Sequence, residues 1–485
     1  MSADRGRSQL GAMFSAGAAL VAGLLLRLWF LRHYSLVTGD SLLYGEIAKN
    51  WLLHGIYGFT DTNAAGATTI RPTLIRLPGY PLFLAACFRI FGMEHYRAVL
   101  RVQAVVDLLT CALAGLTVRW LFGVRAALAV LWLAALCPFT ANYAAAPLTE
   151  TLTLNAMALV FYAFLRWQQA GCGLGRWFWI MGAALAWSIL LRPEQGLLTA
   201  AVLPAVWVAA RRAHWLNLNF RRTMLSVVLA ALCAVLPLAP WTARNWSTFH
   251  VFQPLAPRDA VNPGELDPIG FNRWFRSWGM EYESTEEVYW NYGGFPVLLS
   301  DLPTRAFDAD SPAATAALQA QTASLLAGYN KTMAVTPQID ARFGVLAAQR
   351  IRAHPVLYHA GLPFARVVDM LLRPRTELLP TPLDWWRWRV YRGQTLFAGG
   401  YAALDLAYLV LGIAGFLAWK RRRWSPVNRS NYAPLALAML ATILLRLALL
   451  LTLDNSEPRY TLELFPVLFV FAGALFARRP SPDAR

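Results

Sequence analysis

Apolar residues in this chain gather into long, nearly charge-free runs. The runs lie at about 12–31, 98–121, 125–144, 149–168, 177–191, 195–211, 224–241, 397–419, 433–452 and 461–477. A helix needs about 20 predominantly apolar residues to cross a bilayer, so ten spans are expected. An eleventh run, "PGYPLFLAACFRIFG" (78–92), has 15 residues and is interrupted by Arg89, which makes it short for a crossing. Two polar segments stand out. Residues 32–97 form a juxtamembrane loop within an N-terminal bundle (1–247), and residues 248–395 form a loop domain rich in Pro, Asp, Glu, Trp and Tyr; residues 396–485 supply the last membrane helices. The expected fold is all-α: a polytopic bundle of about ten spans with juxtamembrane helices and an α-rich outer domain.

Within the first loop, "DSLLYGEIAKNWLLHG" changes period. Tyr44, Ile47, Ala48, Trp51 and Leu52 follow helical spacing and make one apolar face, with Glu46 and Lys49 off it. Gly55 is placed to end the helix, and Thr38 or Asp40 to cap its start. Such a helix suits the plane of the membrane surface. In the outer domain, "STEEVYW" and "TAALQAQTASLLAGYNKTM" predict short helices, and "IRAHPVLYHAGLPFARVVDMLL" an interfacial segment.

Composition agrees with a membrane protein: 57% of residues are apolar and 15% charged. The net charge of +17 bears first on topology, because Lys and Arg accumulate in cytoplasmic loops. With a cytoplasmic N-terminus and no crossing at 78–92, the loops "RWLFGVR", "RWQQAGCGLGRW", "RRAHWLNLNFRR", "KRRRWSPVNR" and "ARRPSPDAR" all fall inside. A crossing at 78–92 would invert every later loop and violate the rule. Both termini are therefore expected in the cytoplasm of a plasma or inner membrane, with 78–92 in the outer interface. Basic residues scattered among apolar runs do not suit nucleic acid; the expected surroundings are membrane lipids. Five cysteines without a CxxC pair argue against a disulfide framework or a zinc site. The first run ends in "LRLWFLRHY" without a small-residue cleavage site, so the first helix is expected to be retained.

This topology brings charged motifs to one outer face: Asp40 and Glu46, Arg71 and Arg76, Glu150 in "PLTE", Arg192 and Glu194 in "LRPEQG", Arg244 in "PWTARNW", and Arg459 with Tyr460 in "DNSEPRY". Ionisable groups at span ends are costly and often functional. Each also has a plain reading: a helix cap for Asp40, lipid anchors for the arginines, a local ion pair for Arg192 and Glu194. The aromatic stretch "DWWRWRVYRG" (384–393) either stacks on sugar or sits in the interfacial belt.

In order, "GDSLLYGEIAKNWLLHG", "RLPGYPLF", "PLTE", "LRPE", "PWTARN" and "EPRY" resemble the C-type glycosyltransferases, which use polyprenyl-phosphate sugars. The likeness is to bacterial members related to the protein O-mannosyltransferases and the lipid A aminoarabinose transferases. It implies Asp40 as catalytic base and Arg76 as donor-phosphate contact, with Arg71, Arg192, Arg244 and Arg459 as further phosphate candidates. Tyr44, Glu46, Glu150, Glu194 and Tyr460 are then supporting or sugar-binding residues. Partners would be a polyprenyl-phosphate sugar donor and a glycan, lipid or protein acceptor. No nucleotide fold or cofactor is called for; no metal site is assigned, although divalent-metal dependence stays open. Two departures stand out. Ser41 follows Asp40 where many relatives have glutamate, and Ile75 precedes Arg76 where aminoarabinose transferases have an acid. Two alternatives remain at this stage: a polymerase or ligase of lipid-linked glycans, and a lipid or solute transporter, which would need charges midway through spans, as at Arg27 and Arg446.

Overall fold

The computed structural model describes residues 2–37, 39–62, 66–213, 220–309, 311–421 and 426–477. The basic loops at 211–222, 420–429 and 477–485 lie partly outside them. The chain forms two compact bodies. One comprises Met1–Asn262, Ala407–Leu445 and Leu462–Arg485, the other Pro263–Leu406 and Arg446–Thr461.

The first body is a helical bundle. Across the whole chain, six helical stretches among the described residues are long and apolar enough to cross a membrane. They are Gln9–His33, Tyr96–Phe122, Pro193–Ala213, Arg392–Arg421, Tyr432–Leu450 and Pro458–Phe476. Phe220–Val235 and Leu238–Phe249, bent by 42° at their junction, make a seventh if taken as one span. The remaining three predicted runs are helical but shorter or less apolar. The 125–144 run breaks into Val124–Ala135 and Pro138–Tyr143, because Pro138 has no N–H to continue the ladder. The 177–191 run is the 16-residue helix Arg176–Leu191. Glu150–Gln169 is 20 residues long, carries Glu150 and Arg166, and is buried over most of its length.

Residues 78–92 form the 13-residue helix Gly79–Phe91. At 1.5 Å per residue it reaches about 20 Å, well below the ~30 Å hydrocarbon core. The first loop also holds an element the all-helical expectation lacked: strands Gly58–Thr62 and Thr68–Pro72 pair antiparallel. Residues 248–262 pack onto this loop. Val251, Leu255 and Ala256 join Tyr57, Leu74 and Trp241 in one apolar cluster, and the Asn262 amide oxygen accepts from Thr73 Oγ1 and the Leu74 amide.

The second body is built on aromatic packing. Phe271, Trp274, Phe275, Trp278, Tyr329 and Phe343 are buried together, and Phe271 stacks on Tyr292 at 3.7 Å between centroids. Helices Pro312–Asn330 and Pro337–Ala353 are capped by Ser311 and Thr336, whose side chains accept from the amides of Ala314 and Ile339. The two predicted short helices are here: Pro312–Asn330 covers the second, and Tyr282–Ser284 with the wider turn Thr285–Tyr289 covers the first.

Candidate functional site

Asp40 opens the helix Asp40–His54. The capping expectation is corrected here. Gly39, not Asp40, is the N-cap, and it brings no side-chain cap hydrogen bond; Thr38 lies outside the described residues. Gly39 has φ 53°, a left-handed conformation that glycine adopts without a Cβ clash. The Asp40 carboxylate turns to Arg76 instead, accepting from Nη2 at 2.8 Å. As an acid in the first turn it still complements the helix dipole. Gly55 ends the helix in the left-handed conformation, its N–H bonded to Trp51 O. Ile47 and Ala48 are buried, while Leu52 is exposed.

Arg76 sits on a tightly fixed backbone. Tyr57 Oη donates to the carbonyls of Arg76 and Leu77 at 3.0 and 3.2 Å. Arg244 donates to Thr73 O at 2.7 Å and Tyr57 O at 2.8 Å, and its guanidinium lies over the rings of Tyr57, Trp241 and Phe249. Arg244 thus ties the loop that carries Arg76. Arg76 Nη1 donates to Ile75 O at 3.2 Å, and the guanidinium stands 5.8 Å from the Tyr44 ring centroid.

Glycine at position 79 decides what lies next to Arg76. A Cβ there would meet Leu190 O at 2.5 Å, so the helix Gly79–Phe91 crosses the end of Arg176–Leu191 backbone to backbone. That crossing brings the "RLPG" loop against Arg192. Arg192 leaves its helix in extended backbone, φ −148° and ψ 126°, as the residue before a proline prefers. Three carboxylates meet its guanidinium: Glu150 at 2.9 Å, Glu194 at 2.6 Å and Glu463 at 3.5 Å. Gln195 Nε2 donates to the other oxygen of Glu463 at 2.5 Å. Sequence reasoning assigned no role to Glu463 or Gln195; the one signal for Glu463 was an acid inside an apolar run.

Tyr44 lies between these two charged groups. Burial raises its pKa to about 12; Arg76 and Arg192 pull it down, Asp40 and Glu150 push it up. The phenol therefore keeps its proton at neutral pH. Its ring meets Tyr80 edge-on at 5.0 Å, and Tyr80 Oη donates to Gln103 Oε1 at 2.6 Å.

The remaining predicted residues lie elsewhere. Glu46 accepts from the Thr60 amide at 2.6 Å and so holds the hairpin. Arg71 is exposed on the second strand, opposite Phe59. Arg459 and Tyr460 belong to the second body. Arg459 pairs there with Glu457 at 2.5 Å and lies 6.0 Å from the Trp290 ring centroid, and Tyr460 O accepts from Arg446 Nε and Nη2. In the 384–393 stretch Trp386 and Trp388 are exposed. Among the described residues no group of three or more His, Cys, Asp or Glu is arranged to hold a metal ion.

The two mid-span arginines are both satisfied. Arg27 is fully buried and donates from Nε and Nη2 to Asp107 Oδ2 at 2.8 and 2.5 Å and from Nη1 to Gly23 O and Ala135 O. Arg446 donates to the Tyr460 carbonyl as above. Both guanidinium groups are thus held by hydrogen bonds within the protein.

Chemically, the Asp40–Arg76 pair sets a base beside a cation, and both side chains are partly exposed. The Arg192 group is different: one cation among three carboxylates, nearly buried.

A family model described as dolichyl-phosphate-mannose-protein mannosyltransferase matches residues 72–241. That segment holds Arg76, Glu150, Arg192 and Glu194; Asp40 precedes it and Arg244 follows it. No curated protein matches the chain. Among solved structures it is similar to the oligosaccharyltransferase AglB from Archaeoglobus fulgidus in complex with an inhibitory peptide and a dolichol-phosphate, at 14% identity and TM-score 0.49 over 96% of this chain and 50% of that one. It is also similar to ArnT from Cupriavidus metallidurans bound to undecaprenyl phosphate, at 15% identity and TM-score 0.38 over 96% and 77%. The chain spans about half the length of AglB. Over residues 72–241, about a third of its length, the chain is thus similar to the dolichyl-phosphate-mannose-protein mannosyltransferase family.

Proposed function

We infer that the protein transfers a sugar from a polyprenyl-phosphate donor to an acceptor hydroxyl at the outer face of a plasma or inner membrane. The observation that carries this reading is the Asp40–Arg76 pair: Asp40 opens a juxtamembrane helix, and Arg76 lies inside the segment that matches the mannosyltransferase family. Such a donor carries its own leaving group. The acceptor oxygen attacks the anomeric carbon, the bond from that carbon to the phosphate oxygen breaks, and the acceptor proton passes to Asp40 as general base. The departing lipid phosphate takes the electron pair, and Arg76 meets its charge with two parallel N–H donors. Arg71 lies on the same loop and is the nearest supporting candidate in sequence. With one carboxylate and one displacement, the anomeric configuration inverts, by analogy with single-displacement glycoside chemistry.

Arg244 and Arg192 support this reading from behind. Arg244 holds the loop backbone, and Arg192 gathers Glu150, Glu194 and Glu463 next to Tyr44. The partly exposed Glu194 carboxylate and the protonated Tyr44 phenol are suited to sugar hydroxyls. Sugar and acceptor are left unnamed.

The test is release of sugar from a labelled pool of polyprenyl-phosphate sugars by the purified chain. Wild type consumes one donor. Asp40→Asn keeps donor binding and loses at least about a hundredfold in turnover, the usual range for a general base. Equal consumption by both proteins sinks the base assignment; no consumption of any donor sinks the reading as a whole.

A further inference from the structure

At the far end of the bundle from Arg192 lies a cavity of about 280 Å³. It opens between the helices Glu150–Gln169, Gly196–Ala213 and Pro426–Leu450, and Gln168, Gln169, Arg212 and Tyr432 provide its polar lining. From Glu150, at the Arg192 end, the helix runs about 27 Å to Gln168. None of the proposed transfer chemistry reaches this place.

The segments that carry its lining are rich in cations. The segments 166–177, 205–235 and 420–445 hold many arginines and not one Asp or Glu. Several of those arginines are held by rings. Arg166 lies 4.7 Å from the Trp120 ring centroid and 5.0 Å from that of Trp177; Arg176 also stacks on Trp177, and Arg211 on Trp207. A guanidinium lying over an aromatic face keeps its in-plane N–H edge directed outward. Gln169 Nε2 and Tyr432 Oη meet at 3.5 Å, which sets an amide and a hydroxyl beside Arg212 on the cavity wall. The rest of the lining is small: Ala209, Ala213, Cys172 and Pro434.

Basic pockets between membrane helices, at the basic-loop side, suit phospholipid head groups. A phosphodiester needs a guanidinium, one or two neutral donors and room, and all three are present. We propose that this cavity binds the head group of an anionic phospholipid, with Arg212 on the phosphate and Gln169 and Tyr432 on its remaining oxygens or on the head-group hydroxyls. The site is separate from the donor site and stands whether or not the transferase reading holds.

The experiment uses the full chain in nanodiscs of phosphatidylglycerol mixed with phosphatidylcholine, extracted gently and read by native mass spectrometry for retained lipid. Wild type retains phosphatidylglycerol in preference to phosphatidylcholine. Arg212→Gln reduces that preference about fivefold, one surface cation's worth. Tyr432→Phe reduces it less, and Ala213→Trp, which fills the cavity, removes it. Arg89→Gln, an exposed arginine on another helix, leaves it unchanged. The proposal is overturned if wild type shows no preference, if Arg89→Gln matches Arg212→Gln, or if Ala213→Trp retains lipid as before. It is also overturned if millimolar inorganic phosphate displaces the lipid, since the site would then read a free anion.

Discussion

At the scale of single residues, charge pairing decides which ionisable groups are structural and which are poised for chemistry. Arg27 and Asp107 are both buried, and each is the other's compensation. Removing one leaves an uncompensated charge at a cost of about 3–5 kcal/mol. Arg27→Met should therefore lower thermal stability sharply, and Arg27→Met with Asp107→Leu should recover most of it; a double variant as unstable as the single one would argue against pairing. Asp40 and Arg76 were legible in the sequence because each sits in a local motif, beside a helix start and before a proline. Glu463 was not. Its partner Arg192 is far away along the chain, and an acid inside an apolar run gives no hint of which cation it will meet. Asp40 itself was half misread: its carboxylate prefers one guanidinium to the helix amides, and glycine takes the cap.

At the scale of elements, most of the reading held where length and period were strong. The helix at 40–54, its stop at Gly55 and the helix Pro312–Asn330 were legible in the sequence. The hairpin Gly58–Thr62 with Thr68–Pro72 was missed because its strands are short and mostly polar, and because ties across the loop stabilise it. Asn50 donates to Gly58 O, and Glu46 accepts from the Thr60 amide. The crossing at Gly79 was equally invisible, since contact of two backbones leaves no pattern in either helix. It makes a specific prediction. Gly79→Ala has helical φ and ψ available but no room, so the two helices must separate by about 1 Å. Arg76 and Arg192 then shift, and kcat should fall at least about tenfold with the protein still folded, as small misplacements of positioning groups cost. Gly328→Ala, at a helical glycine with nothing within 4 Å of the added Cβ, serves as the control; equal loss in both would remove the positioning argument.

At the scale of the whole molecule, hydropathy and the distribution of arginines predicted a polytopic helical protein, and six or seven helices of sufficient length bear that out. Three other predicted runs are helices that fall short by length or composition, which hydropathy averaged over a window does not separate. Sidedness is a prediction of the charge rule and can be checked directly. Four of the five cysteines are buried and Cys233, half-buried, lies within an apolar helix, so the native chain should react little with a membrane-impermeant maleimide. A cysteine placed at exposed Thr62 should label from outside intact cells, and one at exposed Ala170 only after permeabilisation. The reverse pattern would invert the topology and place Asp40 in the cytoplasm.

The helix Phe465–Gly473 is buried at every position. Gly415 and Gly412 let the backbone at Phe471 and the Leu468 side chain come close, and Gly473 lies against Val118. On the ribosome this segment is made after the helices that enclose it. The earlier helices must therefore wait in the bilayer with an open slot, and the bundle closes only when this segment slides between them. Closure of the bundle thus depends on a segment that follows its neighbours in the chain, and a chain cut before residue 462 should leave the membrane with a seam that lipids or quality-control proteases can enter.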